Sequence, residues 1–288
     1  MPATFDGQID TSHYRFFFRE RFRLVAEELA ESADSIRAKV LQDLRSNRPD
    51  KTKIVVAGDF DDMQAAAPAG VQIPAWAAGV AFPRDNLILL RVKGDSPQAS
   101  KIEQVFTHEW AHLALAYAVD FRKIPRWFNE GFAMYHSGEW SFSRTTTLAS
   151  GVVSKRIFSL QSLTDFFPEK LSQVELAYAQ SIDFVGFLLG EYGQEPFGQL
   201  IELLAQGWSF ISALEEAYDS SLAEIEDQWR QDLKLRYTWI PLITGAATFW
   251  FLASLIFILA YLKKRRRKIE GFERLDDDQE GDNLNPPI

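Results

Sequence analysis

The sequence predicts an α+β fold followed by one C-terminal transmembrane helix. Strand-like segments occur only in the first hundred residues, whereas segments with helical periodicity fill most of the chain after them. Residues 239–262 then form a long run without a charged side chain. With 288 residues and a hydrophobic content of 47%, the chain is large enough for one sizeable domain with a packed core.

The N-terminal part contains three segments with strand character and one long helical segment. His13–Phe18 is aromatic, while Lys53–Gly58 and Asn86–Val92 are rich in β-branched and aliphatic residues. Between the first two of these, Arg23–Leu44 shows helical spacing of its apolar residues. We therefore expect a small N-terminal β-sheet that packs against helices.

The chain after Ser100 is predicted to be mainly helical. Ser141–Ser172 is the exception, because it is rich in Ser and Thr and is the least regular part, and we expect a long loop with short local structure there. The predicted helices are Lys101–Val119, Arg126–Ser137, Val174–Tyr192, Phe197–Ala205 and Leu222–Arg236.

Residues 239–262 are predicted to cross a membrane. A helix of this length measures about 36 Å, which exceeds a hydrocarbon core of about 30 Å, and Trp239 and Tyr261 lie near its ends. The alternative is a buried core helix, which is usually shorter. The prediction divides the chain into a folded domain over residues 1–238, the transmembrane helix, and a basic stop-transfer segment with a disordered tail over residues 263–288.

The basic residues after this helix predict its orientation. Lys263–Lys268 consists of cations, which favour the cytoplasmic side and leave residues 1–238 extracytoplasmic. The first residues do not resemble a signal peptide, so the alternatives are a missing upstream signal or a tail-anchored protein with a cytosolic domain. We expect a single-pass membrane protein that has a cytoplasmic C-terminal tail and the lipid bilayer as one partner.

The composition limits the chemistry that is open to the chain. It has no cysteine, which excludes thiol catalysis, disulfide bonds and cysteine-bound zinc. The formal net charge of −9 argues against nucleic acid as a partner. A metal site must therefore use His, Asp or Glu, and the chain has four histidines.

His108, Glu109 and His112 form the motif H-E-x-x-H. On an α-helix, residues four apart lie on one face, so the two imidazoles can bind a single Zn²⁺ ion. Glu109 lies about 100° around the helix, where its carboxylate can take a proton from a metal-activated water. The alternative is a buried helix that contains two histidines by chance. A third ligand is needed to decide between them.

A catalytic zinc site needs three protein ligands and one open position. Asp120 lies about 12 Å beyond the histidines on the same helix and is too distant. Ala118 stands where a metzincin would have a third histidine. Glu130 is the preferred ligand, because it lies about one turn into the next predicted helix, although a solvated carboxylate is the alternative. His136 and Glu139 are weaker candidates.

The segments HEWAH and NEGFAMY are similar to the two motifs of the gluzincin clan of zinc peptidases, and the match is close over Thr107–Tyr135. The similarity is greatest to the zinc aminopeptidases and the peptidase MA-like membrane proteins. It implies that His108, His112 and Glu130 bind Zn²⁺ and that Glu109 activates a water molecule. It also implies a small N-terminal sheet packed on the zinc-binding helix, followed by a helical subdomain.

Two further roles are implied by the resemblance. In the clan an edge strand before the zinc helix pairs with extended peptide substrate, and Ala78–Phe82 occupies the matching position. The clan also supplies a Tyr or His to stabilise the oxyanion, which implies Tyr178, with His136 as the alternative. Ala78–Phe82 could equally be an ordinary strand or loop. Tyr178 could be a residue of the core or of the cavity rim. The G-x-M-E-N element of aminopeptidases is missing, so an endopeptidase is at least as well supported.

We therefore expect a membrane-anchored zinc metallopeptidase that hydrolyses peptide bonds in a peptide or protein substrate, with Glu109 as general base. The alternative is a catalytically inactive membrane-anchored protein that keeps the peptidase fold and acts as a binding or scaffold module. A structural zinc site is less well supported, because such sites normally have four protein ligands. Met134 stands where thermolysin has an aspartate, so the group that orients His108 must come from elsewhere.

Overall fold

The computed structural model describes residues 5–45, 51–92, 99–237 and 250–265. The chain divides into two compact units, Met1–Asp232 and Leu233–Ile288. The sheet and the segments that carry the predicted metal ligands belong to the first unit.

The sheet is small and mixed. Its order is β1-β2-β3-β5-β4, where β2, β3 and β5 are parallel to one another and the two outer strands are antiparallel to their neighbours. The fourth strand in the chain is therefore an edge strand. Ile54, Val55 and Val56 of the third strand are inaccessible to solvent, as expected for a parallel strand covered on both faces. The strands are β1 (Gly7–Asp10), β2 (Tyr14–Phe18), β3 (Thr52–Ala57), β4 (Gly79–Phe82) and β5 (Leu87–Arg91).

Helices form most of the remaining described residues. They are α1 (Arg23–Leu44), α2 (Phe60–Ala66), α3 (Ala99–Ala118), α4 (Arg126–His136), α5 (Phe142–Val153), α6 (Leu160–Asp165), α7 (Leu171–Phe187), α8 (Gln194–Ala205), α9 (Phe210–Tyr218) and α10 (Leu222–Tyr237). Helix α3 packs against β4 and β5, and α4 packs against both α3 and α7. These contacts bring α3, α4 and β4 together around one site.

Most of the predicted strands and helices occur near their expected bounds, whereas β1, α2 and α9 have no counterpart among them. The segment Ser141–Ser172, predicted as a long loop with short local structure, is more helical than expected, because α5 and α6 lie within it. Both helices begin with a serine cap: the Ser141 side chain accepts a hydrogen bond from the Arg144 N–H, and that of Ser159 from the Ser162 N–H. Capping and burial of their apolar faces offset the low helix propensity of Ser and Thr.

The predicted transmembrane helix is wrong. Residues 238–249 and 266–288 lie outside the described residues. Within the described part of the chain, no helix is long and apolar enough to cross a membrane. The predicted single-pass membrane localisation is therefore also wrong.

Candidate metal centre

Three side chains converge between α3 and α4. The Nε2 atoms of His108 and His112 lie 3.0 Å apart, and His108 Nε2 lies 4.0 Å from Oε2 of Glu130. One ligand atom from each of the three side chains lies within 4.8 Å of the other two. The arrangement is one that could hold a metal ion.

Helix α3 places the two histidines on one side because they are one helical turn apart. The opposite side of the helix is apolar, and Phe106, Trp110 and Leu113 on it are inaccessible to solvent. Burial of these side chains fixes the rotation of the helix about its axis. His108 and His112 are therefore held at one position relative to α4.

Helix α4 brings Glu130 to the same position. Trp127 and Phe128 anchor the first turn of the helix in the core, where both are fully buried. Gly131 lies against the backbone carbonyl of Ser181 in α7, so closely that a Cβ atom at this position would overlap the carbonyl oxygen. The close packing of α4 on α7 therefore sets the position of the Glu130 carboxylate.

The two histidines have different partners at their outer nitrogen atoms. His112 Nδ1 lies 3.0 Å from Oδ1 of Asn129, and His108 Nδ1 lies 2.6 Å from Oε1 of Glu139. An acceptor at Nδ1 favours the tautomer that carries its proton there, which leaves Nε2 free to bind a metal. Both rings are thus oriented for coordination through Nε2.

Glu139 belongs to a charged network behind His108. Its carboxylate accepts hydrogen bonds from the Ser137 hydroxyl at 3.0 Å and from Arg144 at 3.2 Å. Burial raises the pKa of Glu139, but His108, Ser137 and Arg144 lower it by more, to about 2. Glu139 is therefore ionised at neutral pH and presents a fixed negative charge to the histidine.

The converging groups offer three donor atoms to a divalent cation. Burial lowers the pKa of His112 to about 4, so this ring is neutral at pH 7. Burial also lowers the pKa of His108, but Glu139, Glu109 and Glu130 raise it by more. Burial raises the pKa of Glu130. Two imidazoles and a carboxylate, crowded together and partly desolvated, form a donor set that fits zinc.

Glu109 lies beside the three converging side chains and is held by β4. Burial raises the pKa of Glu109 to about 7, although His108 and a hydrogen bond from the Ala81 backbone N–H act in the opposite direction. A Cβ atom at Gly79 would lie 2.7 Å from Cγ of Glu109 and 2.6 Å from Val105. The edge strand therefore approaches α3 so closely that it fixes the position of the Glu109 carboxylate.

The converging side chains line a cavity of about 800 Å³, and Tyr178 lines it as well. Nη2 of Arg126 donates a hydrogen bond to the Tyr178 hydroxyl at 2.9 Å. Because the guanidinium supplies the proton in that bond, the hydroxyl keeps its own proton for another acceptor. The Arg126 guanidinium also lies 4.6 Å from the centroid of the Phe167 ring, which restricts its orientation.

His136 does not line this cavity, although it is the alternative third ligand and oxyanion donor. Its Nε2 atom lies 3.4 Å from Oδ2 of Asp43 in α1, and burial lowers the pKa of His136 to about 4. Glu139, the other weaker candidate for the third ligand, instead contacts the outer nitrogen of His108. The segment Ala78–Phe82 contains β4, which lies at the sheet edge beside α3.

Arg126 and the Ala81 N–H belong to the site but are not identified by the sequence motifs. Asn129 is the first residue of NEGFAMY, but the motif alone assigns it no role; its position directly before Glu130, on a helix that faces the histidines, is the signal for its contact with His112. Arg126 lies one turn before Glu130, so helical periodicity places both on one face. The contact of Ala81 depends on the approach of a strand to a helix, for which no local pattern exists.

The chain matches the family model described as Peptidase MA superfamily over residues 34–235. A comparison with curated proteins found no match.

Several solved structures are similar to this chain. A mutant of a two-domain M1 zinc metallopeptidase bound to L-tryptophan is 15% identical with a TM-score of 0.39, over 78% of this chain and 50% of that one. The corresponding structure bound to L-arginine is 16% identical with a TM-score of 0.42, over 80% and 50%. The M1 zinc metallopeptidase from Deinococcus radiodurans is 16% identical with a TM-score of 0.38, over 78% and 50%. This chain thus spans about half the length of these structures.

Proposed function

We propose that this chain, which belongs to the Peptidase MA superfamily, is a zinc-dependent peptidase that hydrolyses peptide bonds. The observation that carries the proposal is the convergence of His108, His112 and Glu130 on one position, with Glu109 beside them. These three side chains are the proposed zinc ligands, the number that catalytic zinc sites take from the protein. Zinc supplies Lewis acidity at such a site, which activates water and polarises a carbonyl group.

Glu109 is the proposed general base. Because its pKa is about 7, a substantial fraction of the carboxyl group is ionised at neutral pH and can accept one proton from the attacking water. The water oxygen forms a bond to the scissile carbonyl carbon as this proton leaves. The same carboxyl group then gives the proton to the leaving nitrogen as the C–N bond breaks. The close approach of Gly79 and the Ala81 N–H support this role, since both restrict the carboxylate.

The outer edge of β4 is the proposed binding site for the substrate backbone. The carbonyl group of Ala78 accepts a hydrogen bond from the N–H of Arg91 at 2.8 Å, so this residue faces β5. In an antiparallel pair, successive residues of one strand direct their backbone N–H and C=O groups alternately towards and away from the partner strand. The backbone groups of Gly79 and Ala81 therefore point away from β5. An extended peptide that pairs with this edge would lie directly beside α3 and its histidines.

Tyr178 is the proposed donor to the oxyanion. Burial raises the pKa of Tyr178, so the hydroxyl keeps its proton at neutral pH. The hydrogen bond from Arg126 occupies the oxygen and leaves that proton available to the substrate carbonyl as negative charge develops on it.

The test of this proposal compares the purified chain with the variant Glu109→Gln. The wild-type chain is expected to bind a stoichiometric amount of zinc and to hydrolyse peptides. The variant should retain zinc but lose activity by a factor of about 10²–10⁴, the range typical of a general base. Metal analysis and mass spectrometry of peptide products measure the two quantities. Glu216→Gln, which removes an exposed carboxylate that does not line the cavity, is the matched control.

Two results would contradict the proposal. A Glu109→Gln variant as active as the wild-type chain would exclude the glutamate as general base. A purified chain that binds no zinc at neutral pH would favour the alternative, an inactive peptidase-fold protein that acts as a binding or scaffold module.

A further inference from the structure

We infer that the cavity selects substrate peptides that carry a carboxylate close to the scissile bond, from an acidic side chain or from the C-terminus. The inference rests on the proposed peptidase function. Three arginines that line the same cavity as the metal centre carry it: Arg84, Arg122 and Arg126. They come from three separate segments, namely the turn after β4, the loop between α3 and α4, and the first turn of α4.

Away from the metal centre, the charge of the cavity wall is opposite to that of the chain. The chain has 40 acidic and 31 basic residues. The lining has three arginines and three carboxylates, but Glu109 and Glu130 lie at the metal centre, which leaves the three arginines and Asp85 on the rest of the wall. That part of the wall therefore has an excess of positive charge, which raises the local concentration of anionic groups.

Among the residues that the structure describes, none of the three arginines forms an ion pair with a carboxylate, although Arg126 acts electrostatically on Glu130 and donates a hydrogen bond to Tyr178. This distinguishes them from six other arginines in that part of the chain, each of which forms an ion pair with Asp or Glu: Arg15, Arg19, Arg23, Arg45, Arg144 and Arg230. A guanidinium without such a partner can bind an incoming carboxylate without first breaking an existing ion pair.

Aromatic rings hold two of these guanidinium groups in place. The Arg84 guanidinium lies 5.3 Å from the centroid of the Phe121 ring, and that of Arg126 lies 4.6 Å from the centroid of the Phe167 ring. A ring contact restricts the side chain while leaving the N–H groups at its edge available. Such groups can bind a carboxylate through two parallel hydrogen bonds. The walls thus present oriented donors for an anionic group.

The lining is poorly suited to a substrate recognised by a free amino group. The four residues of β4 include no carboxylate, and Asp85 is adjacent in sequence to Arg84, which offsets its charge. The remaining carboxylates of the lining, Glu109 and Glu130, belong to the catalytic centre. A carboxylate is therefore the charged group that this cavity favours.

The first experiment measures the cleavage of matched peptides by the zinc-loaded full chain. Each internally quenched peptide is neutral apart from one position near its centre, which carries Glu, Gln or Lys, and each is made with a free and an amidated C-terminus. We expect kcat/KM to be about tenfold higher for Glu than for Gln and lowest for Lys. The preference should decrease as the salt concentration rises. A Glu/Gln preference that survives amidation identifies the side-chain carboxylate as the recognised group, whereas faster cleavage of the free than of the amidated Gln peptide identifies the C-terminus.

The second experiment uses the double variant Arg84→Gln, Arg122→Gln. Its Glu/Gln ratio of kcat/KM should fall towards one, because two of the three arginines have been removed from the wall. Lys123→Gln is the matched control: Lys123 follows Arg122 in the same loop but does not line the cavity, so the ratio should stay as in the wild-type chain. A ratio that is unchanged in the double variant would overturn the assignment to these arginines.

Binding to the Glu109→Gln variant separates this inference from the proposed function. Fluorescence anisotropy with labelled Glu and Gln peptides gives their Kd values without any cleavage. Tighter binding of the Glu peptide supports the inference even if no peptide is hydrolysed, a result that would defeat only the peptidase proposal. Zinc-dependent cleavage combined with equal Kd and equal kcat/KM for the Glu and Gln peptides, and for their free and amidated forms, would overturn the inference and leave the peptidase proposal standing.

Discussion

The two sides of the cavity differ in how their polar groups are satisfied. On the metal side, formed by α3 and α4, His112 contacts Asn129 and His108 contacts Glu139, and each of these contacts is part of the packed interior. On the strand side, formed by β4, the turn after it and the loop between α3 and α4, Arg84 and Arg122 are exposed. Neither has a carboxylate partner among the described residues.

This difference suggests two roles: the histidines and their partners keep the site in one arrangement, whereas the exposed arginines are available to bind a ligand. A buried histidine with a fixed partner keeps its orientation, because rotation would leave polar atoms without a hydrogen bond. An exposed arginine without a counter-ion costs little to maintain in water and gains a partner only when one arrives. Changes on the metal side should therefore alter the chemical step or the affinity for zinc, and changes on the strand side should alter the choice of substrate.

After Glu109→Gln, the largest effect is expected for Tyr178→Phe, which removes the proposed oxyanion donor and keeps the ring. We expect kcat to fall by a factor of about 10²–10³ with little change in KM, because the hydrogen bond strengthens only as charge develops on the substrate oxygen. Steady-state kinetics on one peptide measure both constants. Tyr192→Phe is the control, since the Tyr192 hydroxyl bonds Gln228 and does not line the cavity. An unchanged kcat with a raised KM would move Tyr178 to the substrate-binding groups.

Gly79→Ala tests the contact between β4 on the strand side and Glu109 of α3 on the metal side. The new methyl group would overlap Glu109 and Val105, so the carboxylate must shift, and we expect kcat to fall about 100-fold. The control is Gly190→Ala, where a Cβ atom would meet no heavy atom within 4 Å. Circular dichroism verifies that both variants remain folded. A Gly79→Ala variant that changes only the Glu/Gln preference would show that β4 does not fix the general base.

A smaller effect is expected for Glu139→Gln, which keeps the shape of the side chain but removes the charge behind His108. We expect the affinity for zinc to fall by a factor of about 10–100, since groups that orient a ligand typically contribute this much. Asn129→Ala should lower the affinity for zinc by less, because it removes a hydrogen bond between neutral groups. Competition with a chelator measures the zinc affinity of both variants. Equal affinities in Glu139→Gln and the wild-type chain would mean that the carboxylate has no influence on the metal through His108.

The metal side was more accessible to sequence reasoning than the strand side. His108 and His112 are related by one helical turn, and Glu130 lies in a second segment with clear helical character, so periodicity brings all three together. The contact between Glu139 and His108 could not be derived in this way, because Glu139 follows the end of α4 and its position depends on the path of the chain there. The proximity of Arg84 and Arg122 likewise depends on tertiary packing. The low helix propensity of the Ser and Thr residues in α5 favoured a loop, but the Ser141 cap and the burial of apolar side chains outweighed it.

The location of β4 at the sheet edge also bears on self-association. Edge strands with free backbone groups are templates on which further copies of a protein can add, as in amyloid growth. Here the edge is only four residues long, one outward N–H is bonded to Glu109, and Pro83, which follows, has no N–H to donate. A short peptide strand can pair with this edge, but too few backbone N–H and C=O groups are free for further copies of the chain to add to it. The shape that suits a transient peptide therefore also protects the chain against seeding its own aggregation.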